Sequence, residues 1–273
     1  MLIVDAQVHI WRVGLPTNPD HRQIHVYSVE DLIKEMDEGG IDAAVIHPPG
    51  WDPNAPQQAN EAAAEHPDRL SVLGKLPLDD LASRELVKDW KKQPGMLGFR
   101  FTFQEPYQQT WLTDGTMDWL WPLVEEARLP VALLAANVMR GVAIVAERHP
   151  RVQLIVDHMG IPRFGKDAEG FSNLPQLLAL ARFPNVAVKA TGAPSYSTDP
   201  YPYRNIHDYL HQIYDAFGPR RMFWGTDITR MPCAWRECVT LFTEELPWLS
   251  EGDKELIMGR ALCEFIDWNL PGL

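Results

Sequence analysis

The amino-acid sequence predicts a (β/α)8 barrel that forms one domain over residues 1–273. Three observations carry this expectation. Eight short apolar runs recur along the chain, helix-type segments separate them, and proline-rich loops follow several of the runs. A length of 273 residues is ordinary for a barrel of this kind. A doubly wound open sheet is the alternative with the same alternating order.

The runs cover residues 2–9, 41–47, 70–76, 97–103, 130–135, 152–158, 186–191 and 222–227. Most are nearly continuous Val, Ile, Leu and Ala, the pattern of parallel strands covered on both faces. After the first run, Ser28 is placed to cap a helix that reaches Glu38 and stops at Gly39-Gly40. Asp79-Asp80 precede a helical pattern over 81–92, and residues 118–128 carry apolar side chains at helical spacing before Pro130. Prolines crowd the loops after the first strand (Pro16, Pro19), the second (Pro48, Pro49, Pro53, Pro56) and the seventh (Pro194, Pro200, Pro202). In a barrel these loops share the C-terminal rim, where barrel enzymes carry their sites. No repeat, charge run or low-complexity tract divides the chain.

A formal net charge of -12 argues against nucleic acid or an anionic membrane as partner, since both would repel it. A locally basic pocket is compatible with that total. The three cysteines (Cys233, Cys238, Cys263) form no Cys-x-x-Cys pair. With a start that shows no secretory leader, they imply a reducing cytoplasm. The most apolar stretch, 129–139, falls short of the roughly 18–20 residues a membrane span needs. The expected partner is a small-molecule substrate, and rim aromatics leave a homodimer open.

Three segments hold the candidate chemistry: Asp5-Ala6-Gln7-Val8-His9-Ile10-Trp11, Val156-Asp157-His158-Met159-Gly160 and Phe223-Trp224-Gly225-Thr226-Asp227. Gln7 and His9 are two apart on one strand and so share a face. His158 and Asp227 end the sixth and eighth runs, so all these side chains converge on one mouth. Arg100, in Gly98-Phe99-Arg100-Phe101, can grip a carboxylate with two parallel hydrogen bonds or pair with a nearby carboxylate. His47 and Lys75 end the second and third strands at the same rim. Trp11, Trp51, Tyr196, Tyr201 and Tyr203 in the rim loops point to a flat, partly apolar ligand.

These segments, with Asn185 to Gly192 and Ile257-Met258-Gly259-Arg260-Ala261, resemble the second amidohydrolase family over nearly the whole chain. The resemblance is closest to its branch of 2-pyrone-4,6-dicarboxylate lactonase. It implies a barrel hydrolase whose last-strand aspartate, here Asp227, handles a proton. The family's metal-binding members carry His-x-His on the first strand and a histidine on the fifth. Here Gln7 replaces the first histidine, and residues 130–137 contain none. The turn Gly192-Ala193-Pro194-Ser195-Tyr196 lacks an arginine that dicarboxylate-binding relatives have there, and Ile228-Thr229-Arg230 stands where Trp-Pro-His is common.

The expectation is therefore a hydrolase that opens a lactone or activated ester of a small cyclic or aromatic-derived acid, without a metal. Asp227 is its general base, and His9 and His158 position water or carbonyl. Gln7, Arg100, Trp11, His47, Lys75, Tyr196 and Arg230 are the expected substrate contacts. The first rival is a zinc-dependent decarboxylase holding its ion through His9, His158 and Asp227. The second is a barrel that only binds a ligand.

Residues 160–166 have phosphate-loop spacing, but Asp167 replaces the required Ser or Thr and Pro162 removes an amide. His207 and His211 are four apart on a helix without the glutamate of a metalloprotease. His66 and His149, at the ends of helical segments, read as structural. No Gly-x-Ser-x-Gly elbow is present.

Overall fold

Eight parallel strands follow chain order around a single sheet in the structure, a computed structural model that describes residues 1–270. They are β1 (Val4–Val8), β2 (Ala43–Ile46), β3 (Leu70–Gly74), β4 (Met96–Thr102), β5 (Val131–Leu134), β6 (Leu154–Val156), β7 (Val186–Thr191) and β8 (Met222–Gly225). Each pairs in parallel with the next. Polar contacts draw β8 against β1 at the seam. The Asp227 amide donates to the Gln7 carbonyl at 2.9 Å, and the buried Asp5 carboxylate accepts from Thr226 N at 2.9 Å, Thr226 Oγ1 and Trp235 Nε1. The sheet thus curls into the expected barrel.

The helices form where local chemistry starts and stops them. Ser28 Oγ accepts from Asp31 N at 3.2 Å while Asp31 Oδ2 accepts from Ser28 N at 2.9 Å, so two unpaired amides at the start of helix Val29–Gly39 are satisfied. Gly40 ends that helix in the left-handed region, φ 72°. The helix expected over 81–92 is shorter, running Ser83–Lys88 before a 3-10 turn at Trp90–Lys92. The segment before Pro130 is helical over Leu120–Ala127.

The barrel interior has an apolar floor. Val4, Ala6, Ala43, Val45, Leu73, Ala132, Ile155, Ala187 and Phe223 pack there, with Ala261, Leu262 and Ile266 of helix Ala261–Ile266 in the same cluster. A second, larger core lies between the strands and the surrounding helices. A shift of register between Asp5 and Val8 resets the inward alternation of β1. Ala6 therefore belongs to the floor, while His9 reaches the mouth above it. No helix among the described residues is long and apolar enough to cross a membrane.

Candidate active site

A cavity of about 510 Å³ opens at the C-terminal rim, lined by residues of β3, β4 and β5 and by residues that follow the other strands. Asp227, only 3% exposed, belongs to its wall. Asp227 and His158 are each the second residue after a strand and adopt left-handed backbone, φ 58° and 52°. Side chains other than glycine pay about 1 kcal/mol or more for that conformation. Strain of this kind clusters at functional sites.

His9 Nδ1 lies 2.5 Å from the His47 carbonyl oxygen, an atom that only accepts, so the ring proton is on Nδ1. Burial pushes the His9 pKa down to about 4, which keeps the ring neutral near pH 7. Its Nε2 therefore directs a lone pair at Asp227 Oδ1, 3.3 Å away. Burial favours a neutral Asp227, but His21 and His9 when protonated, and the permanently charged Arg230 throughout, outweigh it and hold the carboxyl well below the usual range. Arg230 Nε is 3.4 Å from Asp227 Oδ2. Asp227 Oδ1 is buried and has no hydrogen-bond partner among the described residues. Two electron-rich atoms facing each other in a buried site call for something positive between them: the hydrogens of a water, or a cation.

The third group at this point is His21, which the sequence analysis passed over. Its Nδ1 lies 4.0 Å from Asp227 Oδ1 and 2.8 Å from Thr229 Oγ1. Ligand atoms of His9, His21 and Asp227 fall within 4.8 Å of one another. Two imidazoles and a carboxylate are a suitable set for one catalytic divalent ion, and the His47 carbonyl supplies the outer contact that orients a ligating histidine. The donor set fits a cation, so the expectation of a site without a metal gains no support, and the third ligand differs from the His158 of the zinc-dependent rival.

His158 is engaged elsewhere. Its Nε2 lies 3.0 Å from the Gln7 amide and 3.9 Å from Asp227 Oδ2, and its Nδ1 lies 2.8 Å from Thr191 Oγ1. Burial lowers its pKa to about 3, so it too is neutral. Gln7 corrects the expectation of a substrate contact: it is wholly buried, stands outside the cavity wall and braces His158. Trp11 is corrected likewise. Its indole donates to the Ile24 carbonyl at 3.0 Å and packs behind Trp51, and Trp51 is the ring that lines the cavity. Tyr201 and Tyr203 also lie outside the lining; Tyr107 and Trp111, which the sequence analysis did not single out, are part of it.

His47, Lys75, Arg100, Tyr196 and Arg230 all line the cavity as expected. Arg100 makes the carboxylate pair that the sequence left open, donating from Nε to Asp157 Oδ2 at 2.6 Å. No hydrogen bond engages its terminal nitrogens among the described residues, so they remain available to a ligand. Lys75 is exposed at the rim, and partial desolvation there together with Arg100 lowers its pKa. Arg230 donates to Tyr196 Oη at 2.8 Å and lies over the Tyr196 ring. The cavity wall holds four cationic side chains (Lys75, Arg100, Arg163, Arg230) against two acidic ones (Asp79, Asp227), so it is locally positive in an acidic chain. The other histidine pair is structural: His207 bonds the Pro202 carbonyl and His211 stacks on Trp248.

A parallel barrel that gathers histidines and a carboxylate at the C-terminal ends of its strands has the layout of a barrel enzyme. The chain belongs to the amidohydrolase family, whose pattern matches residues 4–260. It is similar to L-fucono-1,5-lactonase of Burkholderia ambifaria, 20% identical over 234 residues that cover 82% of this chain and 79% of that one. It is 28% identical to 4-sulfomuconolactone hydrolase of Hydrogenophaga intermedia over 207 residues, 72% of this chain and 64% of the relative. In fold it matches a zinc-bound amidohydrolase from Burkholderia multivorans with a TM-score of 0.85, 20% identity and coverage of 98% and 100%.

Proposed function

We propose that the protein hydrolyses the lactone ring of a small anionic acid, with Asp227 as general base. One observation carries the reading: the neutral His9 Nε2 and the ionised Asp227 Oδ1 converge at 3.3 Å in the wall of a cavity. A water set to one side of the pair donates one hydrogen to each, which aims its oxygen lone pair at a bound acyl carbon. As the water oxygen bonds to that carbon, Asp227 takes the proton. The ring C–O bond then breaks and Asp227 passes that proton to the leaving oxygen, giving the hydroxy acid and restoring the carboxylate.

Arg230 keeps Asp227 ionised, and the Tyr196 hydroxyl, which accepts from Arg230, is polarised to donate to the developing oxyanion. Lys75 and the free end of Arg100 suit an anionic group on the substrate. If the site holds a divalent cation, His9, His21 and Asp227 are its ligands, and it would lower the pKa of a bound water. The names of both curated relatives, a lactonase and a lactone hydrolase, support this reading. A panel of sugar-acid, muconolactone-type and aryl lactones tests it by acid release at constant pH. Turnover of an anionic lactone in preference to its neutral ester is expected. Inertness toward the whole panel would reject the reading.

A further inference from the structure

Lys189 is the only charged residue of β7, and it is fully buried inside the barrel. Its Nζ lies 3.0 Å from Asp157 Oδ1 and 2.9 Å from His47 Nε2. Asp157 also accepts from Arg100, so it stands between two cations. Burial opposes its charge, but Lys189 and Arg100 prevail and hold its carboxyl far below the usual range. An ionised Asp157 in turn keeps the amine protonated, and burial lowers the Lys189 pKa only to about 8.

An ammonium group has three donors and no acceptor, so it requires a lone pair at His47 Nε2. A second proton on that ring would set two positive charges 2.9 Å apart, so the ring is neutral. A neutral ring with a bare Nε2 carries its proton on Nδ1. The Ala6 carbonyl, 3.1 Å from Nε2, would favour the opposite tautomer. That tautomer would aim an N–H at a full positive charge 2.9 Å away. Repulsion between a charge and a bond dipole at that range exceeds the gain from one carbonyl contact in a low-dielectric interior. Nδ1 is buried without a hydrogen-bond partner among the described residues, yet His47 belongs to the cavity wall. A buried donor left unpaired in a ligand cavity invites an acceptor from the ligand.

We propose that Lys189 is a positioning residue that fixes His47 as the Nδ1–H tautomer, so the cavity wall carries a hydrogen-bond donor there rather than an acceptor. The use of that donor, toward the carbonyl or the anionic group of a substrate, rests on the hydrolase reading. Its existence does not.

Long-range 1H–15N correlation spectra of the 15N-histidine-labelled full chain, free of substrate near pH 7, test the proposal. A His47→Asn spectrum identifies the His47 signals. The expected result is a protonated-type Nδ1 and an unprotonated, downfield Nε2. In Lys189→Met the proton is expected to move to Nε2, where the Ala6 carbonyl accepts it. A protonated Nε2 in the wild type overturns the proposal, as does an unchanged Nδ1–H pattern in folded Lys189→Met. Should that variant not fold, the wild-type spectrum decides. No substrate enters the experiment, so failure of the hydrolase reading and failure of this inference are told apart.

Discussion

The floor and the mouth of the barrel are built from the same strands, often only two residues apart. Beginning at β6, Ile155 lies in the floor and Asp157 in the charged layer above it. From β7, Ala187 lies below and Lys189 above, and after Phe223 of β8 comes Asp227. A step of two keeps a side chain on the inner face, so each strand passes from packing to chemistry along one line. The floor is held by volume and tolerates little change of size. The mouth is held by paired charges and by neutral imidazoles whose protons have fixed places. Loss of a floor side chain should therefore cost stability, and loss of a mouth side chain should cost substrate binding or rate.

Phe223→Ala should be the largest stability effect, about 3–5 kcal/mol, because it empties the centre of the floor. Denaturant unfolding measures it, and the remaining folded fraction should keep its specific activity; lost activity in a fully stable variant would break the contrast. Arg100→Met should raise KM for an anionic lactone by about 10–100-fold with a smaller change in kcat, since it removes a charge-assisted hydrogen bond of roughly 1.5–3 kcal/mol. Equal losses on anionic and neutral lactones would deny Arg100 its anion contact. If the wild type takes up zinc stoichiometrically, measured by elemental analysis after dialysis against the metal, His21→Ala should abolish that uptake, whereas Gln7→Ala should retain it. Retention by His21→Ala would return the third-ligand role to His158. Lys75→Met should have the smallest effect, a few-fold rise in KM, because this side chain is partly solvated.

The strand order, the Ser28 cap and the placement of His9, His158 and Asp227 were legible because they follow from local periodicity and from where strands end. His21 was not, since it lies in an irregular loop and only the folding back of that loop brings it to Asp227. Trp11 was misread because loop residues carry no fixed alternation, so nothing local says that Trp51 stands in front of it. Gln7 was read as an inward-facing replacement for a histidine, whereas the contact that claims it comes from His158, 151 positions away. Lys189 left a signal that was passed over. A lysine inside an apolar run that is buried on both faces is almost always paired, and Asp157 is its partner.

The account turns on Asp227 as the group that removes a proton from water. Replacing it by asparagine keeps the size of the side chain and removes the base. On any lactone the wild type opens, Asp227→Asn should lower kcat by about 10²–10⁴-fold while the protein stays folded. Hydrolysis by that variant at the wild-type rate would contradict the mechanism.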